Sequence, residues 1–177
     1  PAARPLLEAG IPLFVDKPFC REHAEGKRFL RRAAELKVPV CSFSVMPMQS
    51  AYTELKRQVR SLGEIYSVIS TGPCDITSPF GGIYFYGIHQ VEMILQLLGS
   101  EVSCAQFHRG KDRNHVATLS FVDGKMATIN LMAEGDGQFH LSVIGAKGRI
   151  DRPIPYDPDF FLPGIRAFVR MVRTGKM

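Results

Sequence analysis

The segment Ile11–Pro18, IPLFVDKP, decides how the beginning of the chain folds. Its apolar run Leu13–Val15 is short and unbroken, which is typical of a strand buried on both faces of a parallel sheet. Pro12 fits only as the first residue of such a strand, because proline donates no hydrogen bond to a ladder. Helical patterns precede the strand at Ala2–Ala9 and follow it at Arg21–Lys37. The segment therefore predicts a strand that leads into a crossover helix.

Asp16, Lys17 and Pro18 come directly after this strand. In open α/β sheets, ligands bind in the crevice outside the carboxyl ends of the strands. We therefore expect these three residues to lie at the mouth of a site. A lysine in that position donates a proton, or loses one readily when it is partly desolvated. Taken alone, however, the segment is more typical of an ordinary lysine on a βα loop, and this alternative stays open.

The composition is that of a globular protein that is not embedded in a membrane. The chain has 177 residues, of which 45% are hydrophobic and 22% charged. No apolar run approaches the roughly 20 residues that a membrane span needs, and the first residues do not have the pattern of a secretory signal. The sequence begins inside a helical pattern without an initiator methionine, and we expect it to be a piece of a longer protein, cut at both ends.

The four cysteines and the basic residues give only weak evidence about metal sites, cellular compartment and binding partners. The cysteines form neither a CxxC pair nor a spacing typical of a metal site, so we predict no metal, reduced thiols and a cytoplasmic location. The net charge is +5, spread over several helix faces. A basic patch binds nucleic acid in some proteins, but solvated helix faces explain this pattern better, and we predict neither a nucleic-acid nor a membrane partner.

The order of the predicted elements indicates two domains. Residues 1–45 alternate helix and strand, with a second strand at Val40–Val45, and Met46–Pro47 marks a change. The later helices are predicted at Ser50–Leu62, Gly81–Leu98 and Pro163–Arg173. A strand at Glu64–Ser70 is followed by a loop at Thr71–Ser78. Strands dominate from Glu101 onward, and Asp123–Gly124 is a strong hairpin signal between two of them. We predict an α+β fold, in which an open, mainly antiparallel sheet has helices on one face.

The helix within Phe80–Gly99, FGGIYFYGIHQVEMILQLLG, is the second informative segment. His89 lies three residues after Tyr86 and three before Glu92, so the three side chains can share one helix face. An imidazole beside a phenol and a carboxylate can relay a proton near neutral pH. A single histidine on a core-facing helix is nevertheless more often a packing residue. Gly87 allows a backbone or a flat ligand to approach closely.

The order of these motifs over the whole chain resembles the Gfo/Idh/MocA oxidoreductases: DKP, two strand–helix steps, GGIYFYGIHQVEMILQLLG, then a sheet that contains GAKG. The resemblance implies a Rossmann domain, which binds NAD or NADP, followed by an α+β domain with an open sheet. Residues 1–45 would be the end of the dinucleotide-binding domain. Residues 46–177 would be the truncated substrate-binding and oligomerisation domain.

The resemblance also implies roles for individual residues. Lys17 would lie beside the nicotinamide and transfer the substrate proton, with Asp16 and Pro18 lining the cofactor. His89 would be its catalytic partner, and Tyr86 and Tyr84 are candidates for substrate binding. The family commonly has an aspartate four residues before the histidine, where this chain has Phe85. Without that carboxylate we expect His89 to be a weaker base.

The implied activity is hydride transfer between NAD(P) and a sugar- or polyol-like substrate, by the parent protein as a homo-oligomer. The dinucleotide fingerprint GxGxxG is absent from the sequence, so we expect this piece alone to be inactive. A catalytically impaired relative that acts as a ligand sensor or structural subunit is the alternative.

Overall fold

The computed structural model describes residues 2–176, which divide into two compact units. Met46–Phe160 form the second unit, and the residues on either side of this stretch form the first. The sequence prediction assigned residues 161–177 to the second domain, whereas the structure groups the helix found there with the first unit. One reason is visible in the rings of Phe168 and Phe14, whose centroids lie 6.2 Å apart.

The helices and strands lie close to the predicted segments. The helices are α1 (Arg4–Glu8), α2 (His23–Leu36), α3 (Ser50–Gln58), α4 (Ile83–Leu98) and α5 (Leu162–Thr174). The strands are β1 (Leu13–Phe14), β2 (Val40–Cys41), β3 (Ile65–Pro73), β4 (Val102–Arg109), β5 (His115–Phe121), β6 (Met126–Met132), β7 (Phe139–Gly145) and β8 (Gly148–Ile154).

The first unit contains the predicted parallel pair, β1 and β2. The register places Leu13 opposite Val40 and Phe14 opposite Cys41. The ladder is short because the first segment leaves it at Asp16, so the predicted strand Val40–Val45 is only Val40–Cys41. The apolar side of α2 closes over this pair, and Leu7, Leu13, Ala33 and Val38 form its buried core.

The second unit is a six-stranded sheet in the order β4-β5-β6-β3-β7-β8. Every neighbouring pair is antiparallel except β3 and β6, which run parallel. Gly124, with a φ of 85°, completes the predicted hairpin turn between β5 and β6. The predicted fold class, an α+β fold with an open and mainly antiparallel sheet, is therefore confirmed.

One strand is longer than predicted. The glycine and proline of Thr71–Ser78 indicated a loop, but β3 continues to Pro73. Thr71, Gly72 and Pro73 pair with the end of β6. A proline is tolerated here because the ladder between β3 and β7 ends at Thr71, and the donor towards β6 is the N–H of Cys74. Position 72 requires glycine, because a Cβ there would lie 2.3 Å from the ring of Phe139.

The core of the second unit lies between one face of the sheet and the helices α3 and α4. Alternate residues of β3, β6 and β7 are buried there, as the period of a half-buried strand requires. Tyr52 of α3 is fully buried, and its hydroxyl donates to the backbone oxygen of Met93 in α4 at 2.8 Å. Both helices thus cover the same face, as predicted.

A buried polar network fixes α4 on the sheet. Gln90 is fully buried, and its Oε1 accepts a hydrogen bond from Ser70 Oγ of β3 at 2.9 Å. Its Nε2 donates to the backbone oxygens of Gly72 and Asn130 at 3.4 and 3.3 Å. One side chain therefore ties the helix to two adjacent strands. Because a buried polar group without partners is costly, the helix has one favourable rotation and height above the sheet.

We predict that Gln90→Leu lowers the free energy of unfolding by about 2 to 3 kcal/mol, because it keeps the volume but leaves the buried Ser70 hydroxyl without its acceptor. Gln96→Leu is the matched control on the exposed side of α4 and should change stability by less than about 0.5 kcal/mol. Urea unfolding measures both variants. Equal effects of the two substitutions would contradict the role of the network.

Candidate functional site

Lys17 follows the first strand, where the sequence predicted a site. The Asp16 carboxylate accepts the backbone N–H of Lys17 at 2.8 Å, and the Lys17–Pro18 peptide bond is cis. The ammonium group is half-buried, and this desolvation lowers the pKa of Lys17 below its ordinary value. The nearby charge of Asp16 opposes the shift by raising the pKa. A lysine in this state gives up a proton more readily than an exposed one.

A hollow of about 520 Å³ adjoins the residues after β1 within the first unit. It is lined by the apolar side chains of Val15, Phe19 and Phe29 and by the start of α2 at Gly26. Gly26 is needed there, because a Cβ would lie 2.4 Å from the sulfur of Cys20. The charged residues Arg21, Glu22 and Glu25 also line the hollow.

His89 lies in the second unit, on α4, one residue before the buried Gln90. Its side chain is almost fully buried, at 2% exposure. The imidazole lies between two rings: the centroid of Tyr86 is 5.7 Å away and that of Phe139, from β7, is 5.6 Å away. The Gln90 network therefore determines the position of His89. Tyr86 and His89 share a helix face, as their spacing predicted.

His89 is part of a continuous series of ring contacts, which we call the aromatic wall. Its members are Phe80, Phe85, Tyr86, His89, Phe139, Tyr156 and Phe160. Successive ring centroids in the wall are 4.9 to 6.2 Å apart. Phe139 is buried, but Phe80, Tyr86 and Tyr156 are exposed. The wall is thus partly core and partly a surface that a ligand can reach.

Tyr156 is a member of the wall that sequence reasoning missed. It follows the end of β8, and its ring contacts those of Phe139 and Phe160 at 6.2 and 5.1 Å. Burial of its hydroxyl, with a smaller contribution from Tyr86, raises the pKa of Tyr156 to about 12. The phenol therefore stays protonated at neutral pH. Because Tyr86 and Tyr156 are distant in sequence, no local pattern indicates their proximity.

Four hydrogen bonds hold the segment that carries Tyr156, and we call them the Asp157 latch. The Asp157 carboxylate accepts from the backbone N–H of Ser50 at 2.7 Å and from the Ser50 hydroxyl at 2.6 Å. The backbone N–H of Asp157 donates to Gln49 Oε1 at 2.8 Å, and Gln49 Nε2 donates to the oxygen of Phe160 at 3.4 Å. Gln49 is fully buried. The latch therefore fixes an irregular segment to the start of α3.

The sequence and the structure of the chain were each compared with those of known proteins. No protein-family model matches the sequence, and no curated protein sequence is significantly similar to it. Solved structures do match. GenD2 from gentamicin A biosynthesis, in complex with NAD, is 16% identical with a TM-score of 0.84 over 99% of this chain. The chain has the fold of the Gfo/Idh/MocA-type oxidoreductases.

Two further structures of this fold illustrate its range. UDP-N-acetylglucosamine 3-dehydrogenase GnnA from Acidithiobacillus ferrooxidans is 13% identical, with a TM-score of 0.80 over 98% of this chain. Biliverdin reductase from Synechocystis sp. PCC 6803, in complex with biliverdin and NADP+, is 14% identical, with a TM-score of 0.79 over 99% of this chain. The chain spans only 65% of GenD2, 66% of GnnA and 67% of the reductase.

Phe85 occupies the position where the resemblance to Gfo/Idh/MocA proteins implies an aspartate. Its ring packs edge-on against Tyr86 at 4.9 Å and lies tilted against Phe80 at 5.3 Å. Phe85 is therefore integrated into the aromatic wall. A carboxylate in its place would lie among rings and would lose much of its hydration.

Tyr84 and Gly87 have surroundings different from those of His89. Tyr84 lines an apolar groove of about 370 Å³ with Val91, Phe107 and Leu119. It lies two residues from Tyr86 and therefore on another side of the helix. Gly87 lets α4 lie close to the sheet, because a Cβ would lie 3.5 Å from the sulfur of Cys74, just after β3, and 3.8 Å from Leu131 of β6. The atoms that approach Gly87 closely thus belong to side chains of the protein, whereas the sequence suggested a backbone or a flat ligand.

No helix in the part of the chain that the structure describes is long and apolar enough to cross a membrane. Among residues 2–176 there is also no group of three His, Cys, Asp or Glu side chains arranged to hold a metal ion.

We predict that Tyr86→Phe lowers the pKa of Tyr156 below the value of about 12, because it removes the hydroxyl that adds to the burial effect. NMR titration of ¹³Cζ-labelled tyrosine measures this pKa. Tyr66→Phe, a change at an exposed tyrosine of β3, is the control and should leave it unchanged. An unaltered Tyr156 titration in Tyr86→Phe would contradict the proximity of the two phenols.

Proposed function

We propose that the protein containing this chain is an NAD(P)-dependent oxidoreductase that oxidises or reduces a carbinol carbon of a sugar- or polyol-like substrate. The observation that carries the proposal is the fold. It matches oxidoreductases over nearly the whole chain, including one structure bound to NAD and one bound to NADP+. GnnA supports a sugar-like substrate, since its name specifies a dehydrogenase acting on a nucleotide sugar.

Lys17 is proposed as the proton-transfer residue. It follows a parallel strand at the edge where α/β sheets bind ligands, and burial lowers its pKa. In the oxidation direction, its neutral amine accepts the hydroxyl proton of the substrate. In the reduction direction, its ammonium returns that proton to the carbonyl oxygen. Asp16 favours the charged form and so sets the balance between the two states.

His89 and Tyr86 are proposed to act at the substrate oxygen. The imidazole is held between the rings of Tyr86 and Phe139, so its orientation is determined before the substrate binds. Such preorganisation favours proton transfer and hydrogen bonding at a defined oxygen. The Phe85 ring packs on Tyr86. Apart from His89 itself, the phenol of Tyr86 is the polar group of the wall nearest in sequence to His89. Tyr84 is proposed only as a peripheral substrate contact.

NAD or NADP is the cofactor that the proposal requires. Asp16, Lys17 and Pro18 are proposed to contact the nicotinamide end, and Val15 and Phe19, which line the neighbouring hollow, supply apolar surface near them. When bound, the nicotinamide supplies the hydride acceptor or donor. The sequence contains no GxGxxG fingerprint for the pyrophosphate. We therefore propose that residues 1–45 are the end of a dinucleotide-binding domain and that these residues do not bind the cofactor tightly by themselves.

The second unit is proposed to provide the substrate and oligomer contacts. The face of its sheet opposite the helices carries Ile69, Thr128, Thr118 and Ile144, all partly exposed. A face of apolar and short hydroxyl side chains suits contact with a second copy of the chain. The proposed oligomer is therefore symmetric about this face.

A ligand sensor or structural subunit is the second candidate, and Phe85 favours it. A protein of this kind would bind NAD(P)H without turnover. The deciding experiment is NADH fluorescence with the full-length protein, followed by a turnover assay with sugars and polyols. Binding together with turnover supports the oxidoreductase, binding without turnover supports the sensor, and absence of binding contradicts both.

We predict that Lys17→Ala lowers kcat at least about 100-fold, because it removes the proton-transfer group, while NADH binding is retained. Lys27→Ala is the matched control, since Lys27 is an exposed lysine on α2. Steady-state kinetics with a fluorescence titration measure both quantities. Unchanged turnover in Lys17→Ala would rule out the assigned role.

We also predict that Asp16→Asn shifts the pH profile of oxidation. The Asp16 charge raises the pKa of Lys17, so its removal lowers that pKa further. Oxidation needs the neutral amine, and its rate therefore rises with pH as Lys17 loses its proton. In Asp16→Asn the rise should occur at lower pH, and Asp16→Glu should restore the wild-type profile. A shift to higher pH would contradict the assignment.

A further inference from the structure

Tyr156 combines two properties that the proposed reaction does not use. The residue is 44% exposed although its ring contacts those of Phe139 and Phe160. An exposed aromatic ring on an irregular segment normally has rotational freedom. Here the next residue is Asp157, and its backbone N–H and its carboxylate make the three hydrogen bonds of the latch that are 2.8 Å or shorter. The segment is therefore fixed more firmly than an exposed surface residue requires.

The polar composition of the aromatic wall is also unusual for a surface that binds a bare polyol. Each buried hydroxyl of a ligand needs a hydrogen-bond partner, and a missing partner weakens binding. The side chains of the wall offer three polar groups, namely His89 and the phenols of Tyr86 and Tyr156. The other four members are phenylalanines, and Phe85 is one of them. The wall thus suits a ligand portion that presents a ring face rather than several hydroxyls.

We propose that Tyr156 is a specificity-determining residue that stacks a planar ring of the substrate, so that the sugar-like substrate carries an aromatic or heteroaromatic substituent. This proposal rests on the oxidoreductase function proposed above and narrows its substrate class. Tyr156 provides the ring face, and the latch holds that face in a fixed orientation. The phenol stays protonated at neutral pH and donates to an oxygen or nitrogen at the ring edge.

The chemistry of the ligand follows from these contacts. Aromatic rings prefer offset-stacked or edge-to-face contact with other rings, and such a pair gains affinity beyond its buried area. A saturated ring of the same size gains the buried area but not this additional term. A phenyl glycoside and a cyclohexyl glycoside therefore form a matched pair of probes. Both present the same sugar, and only one presents a planar ring.

The experiment is an NMR titration of the full-length protein, in the presence of NADH, with phenyl β-D-glucopyranoside and with cyclohexyl β-D-glucopyranoside. We expect the phenyl glycoside to bind about 2- to 12-fold more tightly, as an aromatic pair contributes. Tyr156→Leu should reduce this ratio to about one, whereas Tyr156→Phe should retain it because the ring remains. Tyr66→Leu is the control for loss of an exposed tyrosine and should leave the ratio unchanged.

The latch gives an independent readout. Asp157→Ala keeps the Tyr156 ring but removes the carboxylate that holds its segment, so the ratio should fall towards that of Tyr156→Leu. The proposal is overturned if neither probe binds the wild-type protein, if the two probes bind equally, or if the ratio survives in both Tyr156→Leu and Asp157→Ala. The parallel NADH titration distinguishes these results from failure of the oxidoreductase proposal, because that proposal fails only when NADH itself does not bind or no substrate is turned over.

Discussion

The buried hydrogen bonds of Gln90 are the constraint on which the second unit depends. They tie one helix to two neighbouring strands, and the next residue along the chain towards the amino terminus is His89. An apolar helix resting on an apolar sheet can slide or rotate at small cost, because dispersion contacts are not directional. The amide of Gln90 has few alternative partners in the core, so it selects one arrangement. The position of the imidazole, and of Tyr86 beside it, follows from that selection.

The rings around His89 define its chemistry as much as the helix does. Imidazoles that act as bases are commonly oriented by a carboxylate. Here Phe85 fills the corresponding helix position, and the rings of Tyr86 and Phe139 contact the imidazole. These ring contacts contribute to the position of the imidazole. The role proposed for His89 is therefore hydrogen bonding to a substrate oxygen, and proton transfer is proposed for Lys17, whose pKa burial lowers.

Local patterns in the sequence were sufficient to predict most of the elements. The period of α4, the Asp123–Gly124 turn and the apolar run of β1 all depend on neighbouring residues, and each prediction is close to the structure. The end of β3 was predicted wrongly because the pairing of Gly72 and Pro73 with β6 is a contact between distant segments. Tyr156 and the Asp157 latch were missed for the same reason. The grouping of α5 with the first unit likewise depends on tertiary contacts, such as that between Phe14 and Phe168.

Transfer of hydrogen directly from substrate to cofactor is the most direct test of the proposed chemistry. A sugar or polyol that the full-length protein oxidises is labelled with deuterium at the reacting carbinol carbon, and the reduced cofactor is then analysed by NMR. The proposed reaction places the deuterium on C4 of the nicotinamide. Deuterium released into the solvent, with only protium at C4, would contradict hydride transfer and with it the function assigned to this fold.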